Sequence, residues 1–163
     1  MLDDLLREGL RLVVCGTAAG AKSAKLKQYY AGPGNKFWRA LCELGLTPRQ
    51  LAPGEAELLL EFGIGLTDLV KGQSGSDSTL DFKQAGPTAL REKMLALKPT
   101  VLCFNGKRAA QVFLGTKVVA YGEQQERIGK TALYVAPSTS GAANRFWDIS
   151  YWREVAERVR ESD

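Results

Sequence analysis

The residues best suited to chemistry by type and spacing lie in CGTAAGAKSAK, Cys15 to Lys25, a stretch of small residues and lysine that follows an apolar run. Such a segment suits the gripping of an anion or a planar ring, and it reads two ways. As GTAAGAKS, Gly16 to Ser23, it is one residue short of the phosphate-cradling pattern G-x-x-x-x-G-K-[ST], because Ala21 stands where the last glycine should be. As the rim of a nucleobase pocket, it would aim backbone amides at the ring. The chain has no histidine, so a triad or general base built on imidazole is excluded. Proton chemistry must fall to Asp, Glu, Asn, Ser, Lys or the backbone. Cys15, Cys42 and Cys103 are far apart and form no C-x-x-C pair, which argues against a disulfide framework. With histidine absent as well, no zinc, iron–sulfur cluster or other cofactor is expected.

A net charge of +4 is mild, but its distribution is uneven. Lys22, Lys25, Lys27, Lys36 and Arg39 share one segment with Tyr29, Tyr30, Phe37 and Trp38. Basic residues interleaved with aromatics suit phosphate neutralisation and base stacking, with Lys22, Ser23 and Lys25 as expected backbone contacts. The plainer reading is a solvated lysine face beside a core helix. A length of 163 residues fits a single domain spanning 1–163. The opening MLDDLLREGLRL carries acidic residues and lacks the basic flank of a signal peptide or anchor. The expectation is a cytoplasmic monomer with no membrane partner.

The elements that must position these residues alternate. LDDLLREGL is expected to be a short amphipathic helix with Asp3 and Asp4 in its first turn. RLVVC follows as a buried strand. AGPGN breaks the chain, and Asn35 can cap a helix through KFWRALCELG, where Phe37, Leu41 and Leu44 share a face. EAELLLEF is a further helix, GIGLTDLV a second strand, and KGQSGSDSTLDF an exposed polar loop. GPTALREKMLALKP is a helix bounded by prolines, TVLCF a third strand, GKRAAQVFLG a helix and TALYVA a fourth strand. Ile149, Trp152, Val155 and Val159 line one face of a last helix. The fold expected is α/β: a single three-layer domain with a mainly parallel four-stranded sheet and helices on both faces. Ligands of such sheets sit at the carboxyl ends of the strands. The loops there are GTAAGAKS, the segment after GIGLTD, FNGK and PSTSGAANR.

Against a phosphate cradle, Ala21 puts a side chain where backbone must approach phosphate, and little room remains for a helix before AGPG. Asp68 is the lone candidate for an acidic Mg²⁺ partner at a strand end. Taken together and in order, GTAAG, YYAGPGNKFW, FNG and PSTSGAAN resemble the uracil-DNA glycosylase superfamily, closest in pattern to its mismatch-specific and hypoxanthine-type branches. The resemblance covers nearly the whole chain. It departs at two places. The first loop of the family commonly carries Asn, Asp or Glu to position the attacking water, and here the matching residue is Ala18. The last motif often has His or Asn before Pro-Ser, where this chain has Ser138, Thr139 and Ser140.

The resemblance implies a monofunctional DNA glycosylase, without lyase activity, that excises uracil or hypoxanthine from single- or double-stranded DNA in base-excision repair. Cleavage passes through an oxocarbenium-like sugar, needs an oriented water and expels the base as an anion. The base must first be flipped into a pocket. With Ala18 inert, Asn35 is the first choice to orient the water and Asp68 the second; their plainer readings are a helix cap and a solvated strand end. Backbone amides of Thr17 and Ala18, or the Ser138 hydroxyl, would meet the base O2. Tyr30 matches the aromatic on which the base stacks, and Asn105 would accept from N3–H and donate to O4. Core packing and a strand-end turn are the alternatives for these two. Ser140, Gly141, Ala142, Asn144 and Arg145 would hold the DNA, Ala142 and Ala143 being a small wedge. Two other functions compete: a non-catalytic binder of damaged or single-stranded DNA, and a nucleotide phosphotransferase.

Overall fold

Short apolar runs without polar alternation are buried on both faces, and four such runs carry the sheet. In a computed structural model, residues 2–70 and 86–161 are described; the polar stretch KGQSGSDSTLDF lies outside them. In chain order the elements are β1 (Leu12–Gly16), α1 (Ala21–Leu26), α2 (Phe37–Glu43), a 3₁₀ segment Pro53–Phe62, β2 (Ile64–Asp68), α3 (Gly86–Leu97), β3 (Val101–Asn105), α4 (Lys107–Leu114), β4 (Gly122–Ile128), β5 (Thr131–Ala136), a 3₁₀ segment Gly141–Phe146 and α5 (Ile149–Arg160). The sheet order is β2-β1-β3-β5-β4. The first four strands in that order are parallel, and β4 joins the edge antiparallel to β5.

Alternation along each strand divides the core in two. Leu12 and Val14 face a layer built from Phe37, Leu41, Leu59 and the α5 residues Trp152, Val155 and Val159. Val13 and Cys15 face the other layer, with Leu90 and Met94 of α3 and Ala109, Ala110 and Phe113 of α4. The three-layer α/β arrangement is therefore the one expected, with five strands in place of four. The missed strand, β4, reads GEQQERI and is mostly exposed between its two ends. As an edge strand it needs backbone partners more than apolar side chains.

The expected N-terminal helix is absent. Leu5 instead exchanges two backbone hydrogen bonds of 2.9 Å with Leu66, forming an antiparallel bridge on the free side of β2. The arm is tied down further by Asp4, which accepts from the Thr67 hydroxyl at 2.7 Å and from Lys93 Nζ at 2.8 Å. Tertiary pairing has overridden local helix preference, and an exposed sheet edge is covered as a result. EAELLLEF is helical, but as a 3₁₀ segment. Among the described residues no helix is long and apolar enough to cross a membrane.

Trp152 links this framework to the loops above it. Its ring is fully buried, and its indole N–H donates to the Pro137 carbonyl at 2.8 Å, immediately after β5. Replacing Trp152 by Phe removes that bond and leaves a void, so a loss of about 1–3 kcal/mol is expected in chemical denaturation. An unchanged midpoint would show that the indole does not anchor the end of β5.

Candidate active site

At the carboxyl ends of β1, β2, β3 and β5 the connecting loops enclose a cavity of about 590 Å³. That volume lies within the ~300–1,000 Å³ typical of small-molecule sites. Gly16 ends β1 and Asp68 ends β2, paired in register. A Cβ on Gly16 would lie 3.2 Å from Asp68 Oδ1 and 3.4 Å from the Tyr30 hydroxyl oxygen. Only a glycine leaves that space open. Asp68 is 6% exposed.

Tyr30 adopts a φ of 52°, unusual for a bulky residue. Its surroundings hold it there. The ring packs on Phe37 at 4.2 Å between centroids, the Ala31 N–H donates to Ser23 Oγ at 2.9 Å, and Trp38 Nε1 donates to the Tyr29 carbonyl at 3.2 Å. The hydroxyl end is fully buried and meets no hydrogen-bond partner among the described residues. Burial first, then the nearby Asp68 charge, raise its pKa well above the usual phenol value, with the Asn105 side chain acting in the opposite sense.

Thr139 joins three of the loops. Its N–H donates to Asn105 Oδ1 at 3.0 Å, and its hydroxyl oxygen accepts from Asn105 Nδ2 at 3.0 Å. Its carbonyl accepts from the Lys36 N–H at 2.9 Å. Beside this junction Gly34, at φ 80°, meets Gly141; a Cβ on Gly141 would lie 3.4 Å from the Gly34 carbonyl oxygen. Asn35 follows directly, lining the cavity, with Oδ1 accepting from the Phe37 N–H at 3.0 Å. Lys36 is the N-cap of α2, so Asn35 stands one residue before it, and the bond to the second residue on fixes the plane of its amide.

A family model for the uracil DNA glycosylase superfamily matches residues 4–157. The chain belongs to that superfamily. It is also similar in fold to the solution NMR structure of a protein from Methanosarcina acetivorans proposed to be a uracil DNA glycosylase. That match has a TM-score of 0.66 and 23% identity, and it covers 98% of this chain and 96% of the other. Superfamily membership supports a DNA glycosylase acting on a DNA substrate.

Most of the expected site residues meet at the cavity. Thr17, Ala18, Tyr30, Asn35, Asp68, Asn105, Ser138 and Ser140 line it, as does Lys22, exposed on α1. Lys25 is exposed on the same helix. Several of these side chains also bond within the protein. Ser23 is 6% exposed and its hydroxyl oxygen accepts from the Ala31 N–H, so it shapes the Tyr30 turn. Its burial and the six-residue length of α1 both count against the phosphate-cradle reading, which needs the serine open to Mg²⁺ at the start of a helix. Asn105 engages both ends of its amide with Thr139, so its first task is to hold a loop. In the last loop Ser140 Oγ accepts from the Ala142 N–H at 3.2 Å, and Asn144 Oδ1 accepts from Lys36 Nζ. These side chains order the loop that carries Gly141 and Ala142.

Sequence reasoning passed over Lys107 and Arg108, which also line the cavity, and Thr139 itself. It also missed Phe146, 55% exposed, with the Arg145 guanidinium 4.9 Å from its ring centre. The two bases follow FNG directly and were open to detection as charges at a strand end. The role of Thr139 had no local signal. Asn105→Ala should leave the Thr139 N–H, in a residue 1% exposed, without its partner. A destabilisation of about 1–3 kcal/mol is expected by thermal or urea unfolding, and wild-type stability would mean that the loop is held elsewhere.

Proposed function

We propose that the protein is a monofunctional uracil-DNA glycosylase that also accepts hypoxanthine, acting by hydrolysis without lyase chemistry. The observation that carries this is the cavity itself, where the Tyr30 ring, the buried Asp68 and the amide of Asn35 converge at the strand ends of a superfamily member. The flipped base enters beside Tyr30, whose ring, backed by Phe37, offers a stacking surface worth ~1–3 kcal/mol. Asn35 accepts a hydrogen bond from the attacking water. One lone pair of its Oδ1 serves Phe37 and the other remains for water. The water oxygen bonds to C1′ as the C1′–N bond breaks and its electron pair leaves with the base. Backbone donors at Thr17 and Ala18, or the Ser138 hydroxyl, stabilise the charge that builds on the base oxygen. The proton released from the water passes to solvent.

Ala18 favours one other reading. With no polar group at the position where the family commonly holds its water, the same cavity suits a protein that binds flipped bases without cleaving them. Incubating uracil- and hypoxanthine-containing oligonucleotides with the protein in EDTA separates the two, since cleavage leaves an alkali-labile abasic site. Strand breaks before alkali treatment would contradict the absence of lyase activity. Asn35→Ala should remove most of the excision activity at a cap cost of roughly 0.5–2 kcal/mol. Near-normal turnover in that variant would move the water-orienting role to Asp68.

Lys22 and Lys25 stand outside this chemistry. Replacing both by alanine should weaken DNA binding equally for all sequences. The salt dependence should become shallower by roughly one unit of log–log slope per lost phosphate contact. Single-turnover rates on saturated DNA should change little. A sequence-dependent loss of affinity would place these lysines at the base instead of the backbone.

A further inference from the structure

Phe146 is 55% exposed, and among the described residues it is the one aromatic among the large apolar side chains left in solvent. Trp147, Ile149 and Tyr151, which follow it in the chain, are partly buried against the core layer that holds Trp152. Phe146 is not drawn in with them. Its backbone is nonetheless well held, because it ends the 3₁₀ segment Gly141–Phe146. Ser140 accepts from the Ala142 N–H at 3.2 Å through its hydroxyl and from the Ala143 N–H at 3.1 Å through its carbonyl. Asn144 accepts from Lys36 Nζ on its side chain and from the Trp147 N–H, at 3.1 Å, on its carbonyl. The Asp148 carboxylate accepts from the Ser150 N–H at 2.9 Å and closes the turn against α5. A ring held out to solvent on a turn braced in this way loses little freedom when it meets a ligand.

Place and charge indicate what covers that ring. Ser138, Thr139 and Ser140 line the cavity, and the six residues of the 3₁₀ segment, at about 2 Å each, put Phe146 no more than roughly 12 Å beyond Ser140 along the turn. Stacked nucleotides of one strand lie about 3.4 Å apart, so the next few along a strand held in the cavity fall within that reach. The Arg145 guanidinium, 4.9 Å from the ring centre, sets a positive charge beside it. An aromatic face for the base and a cation for the backbone are the two parts of a single-strand binding surface. We propose that Phe146, with Arg145 beside it, is a stacking platform for an unpaired base near the flipped nucleotide, and that it selects single-stranded DNA. In a duplex both faces of that base are covered by its neighbours. A wedge could part them, but Ala142 and Ala143 are too small for that task. In a single strand the face is open, and any base can offer it. The inference rests on the proposed function in taking DNA as the ligand; it adds the form of the DNA and the residue that selects it.

The test reads binding and does not require cleavage. A fluorescein-labelled single strand carries one 2′-fluoro-2′-deoxyuridine, whose fluorine slows glycosidic cleavage, and the same strand annealed to its complement is the duplex. Affinities are measured by fluorescence anisotropy for the parent protein, Phe146→Ala and Phe146→Tyr. The parent should bind the single strand more tightly than the duplex. Phe146→Ala should weaken single-strand binding roughly tenfold and duplex binding far less, while Phe146→Tyr keeps the parental affinity. A propanediol spacer, which keeps the phosphate and removes the base, is then placed in turn at each of the nearest positions on either side of the target. At one position it should cost the parent about as much as loss of the ring does, and cost Phe146→Ala almost nothing. Such non-additivity marks groups in contact. The melting temperature of Phe146→Ala should match the parent's, because the residue is already 55% exposed. Parental single-strand affinity in Phe146→Ala overturns the inference. So do spacer effects that add at every position, or a melting temperature lowered by several degrees. A loss on duplex as large as that on single strand, or larger, would make Phe146 a wedge and overturns it too. Excision of ordinary uracil by a Phe146→Ala variant that binds like the parent sinks this inference and leaves the proposed activity standing. Ring-dependent single-strand binding by a protein that never cleaves uracil DNA does the reverse.

Discussion

Three walls of the cavity lean on the bonding of Thr139, whose N–H and hydroxyl oxygen engage the Asn105 amide while its carbonyl takes the Lys36 N–H. Through these three bonds the end of β3, the entry to α2 and the loop after β5 share one reference point. Several residues with candidate chemical roles sit next to that junction: Asn35 beside Lys36, and Ser138 and Ser140 on either side of Thr139. A pocket made of loops holds a fixed shape only if such cross-links replace the regular ladders found within elements. Trp152 gives the junction its depth, because its indole bond to Pro137 fastens the last residue before the loop to the buried core.

Glycine supplies what side chains cannot. At Gly34 and Gly141 two loops touch through backbone, and at Gly16 the floor is left open between Asp68 and Tyr30. The strained backbone of Tyr30 belongs to the same economy of space. A left-handed turn lets consecutive tyrosines take different tasks, Tyr29 donating its hydroxyl to the Asp3 carbonyl at 3.0 Å and Tyr30 lining the cavity. The surrounding contacts of Phe37, Trp38 and Ser23 hold that conformation in place.

The strands built from unbroken apolar runs were legible because burial on both faces leaves no other composition for them. The helix at 149–160 was equally clear from its apolar stripe. The N-terminal segment misled because Leu2, Leu5 and Leu6 have helical spacing, while Leu5 pairs with Leu66 of β2, some 60 residues away in a part of the chain that local pattern does not report. β4 escaped notice because an exposed edge strand needs no apolar alternation. At the site, the loop motifs marked which residues would gather but not how they are bonded. That Ser23 faces inward, that Asn105 bonds Thr139 and that the Tyr30 hydroxyl meets no partner among the described residues are all results of three-dimensional pairing.

The bridge between Leu5 and Leu66 imposes an order of assembly. The first residues of the chain have no lasting place until β2 has formed, and the Asp4 carboxylate finds Lys93 only after α3 is present. During synthesis the arm must wait while most of a hundred residues emerge, paying a large loop-closure entropy for contacts so distant in sequence. Leu2, carried on that arm, lines the cavity. One wall of the pocket is thus set by the very start of the chain, through partners more than sixty positions further along it.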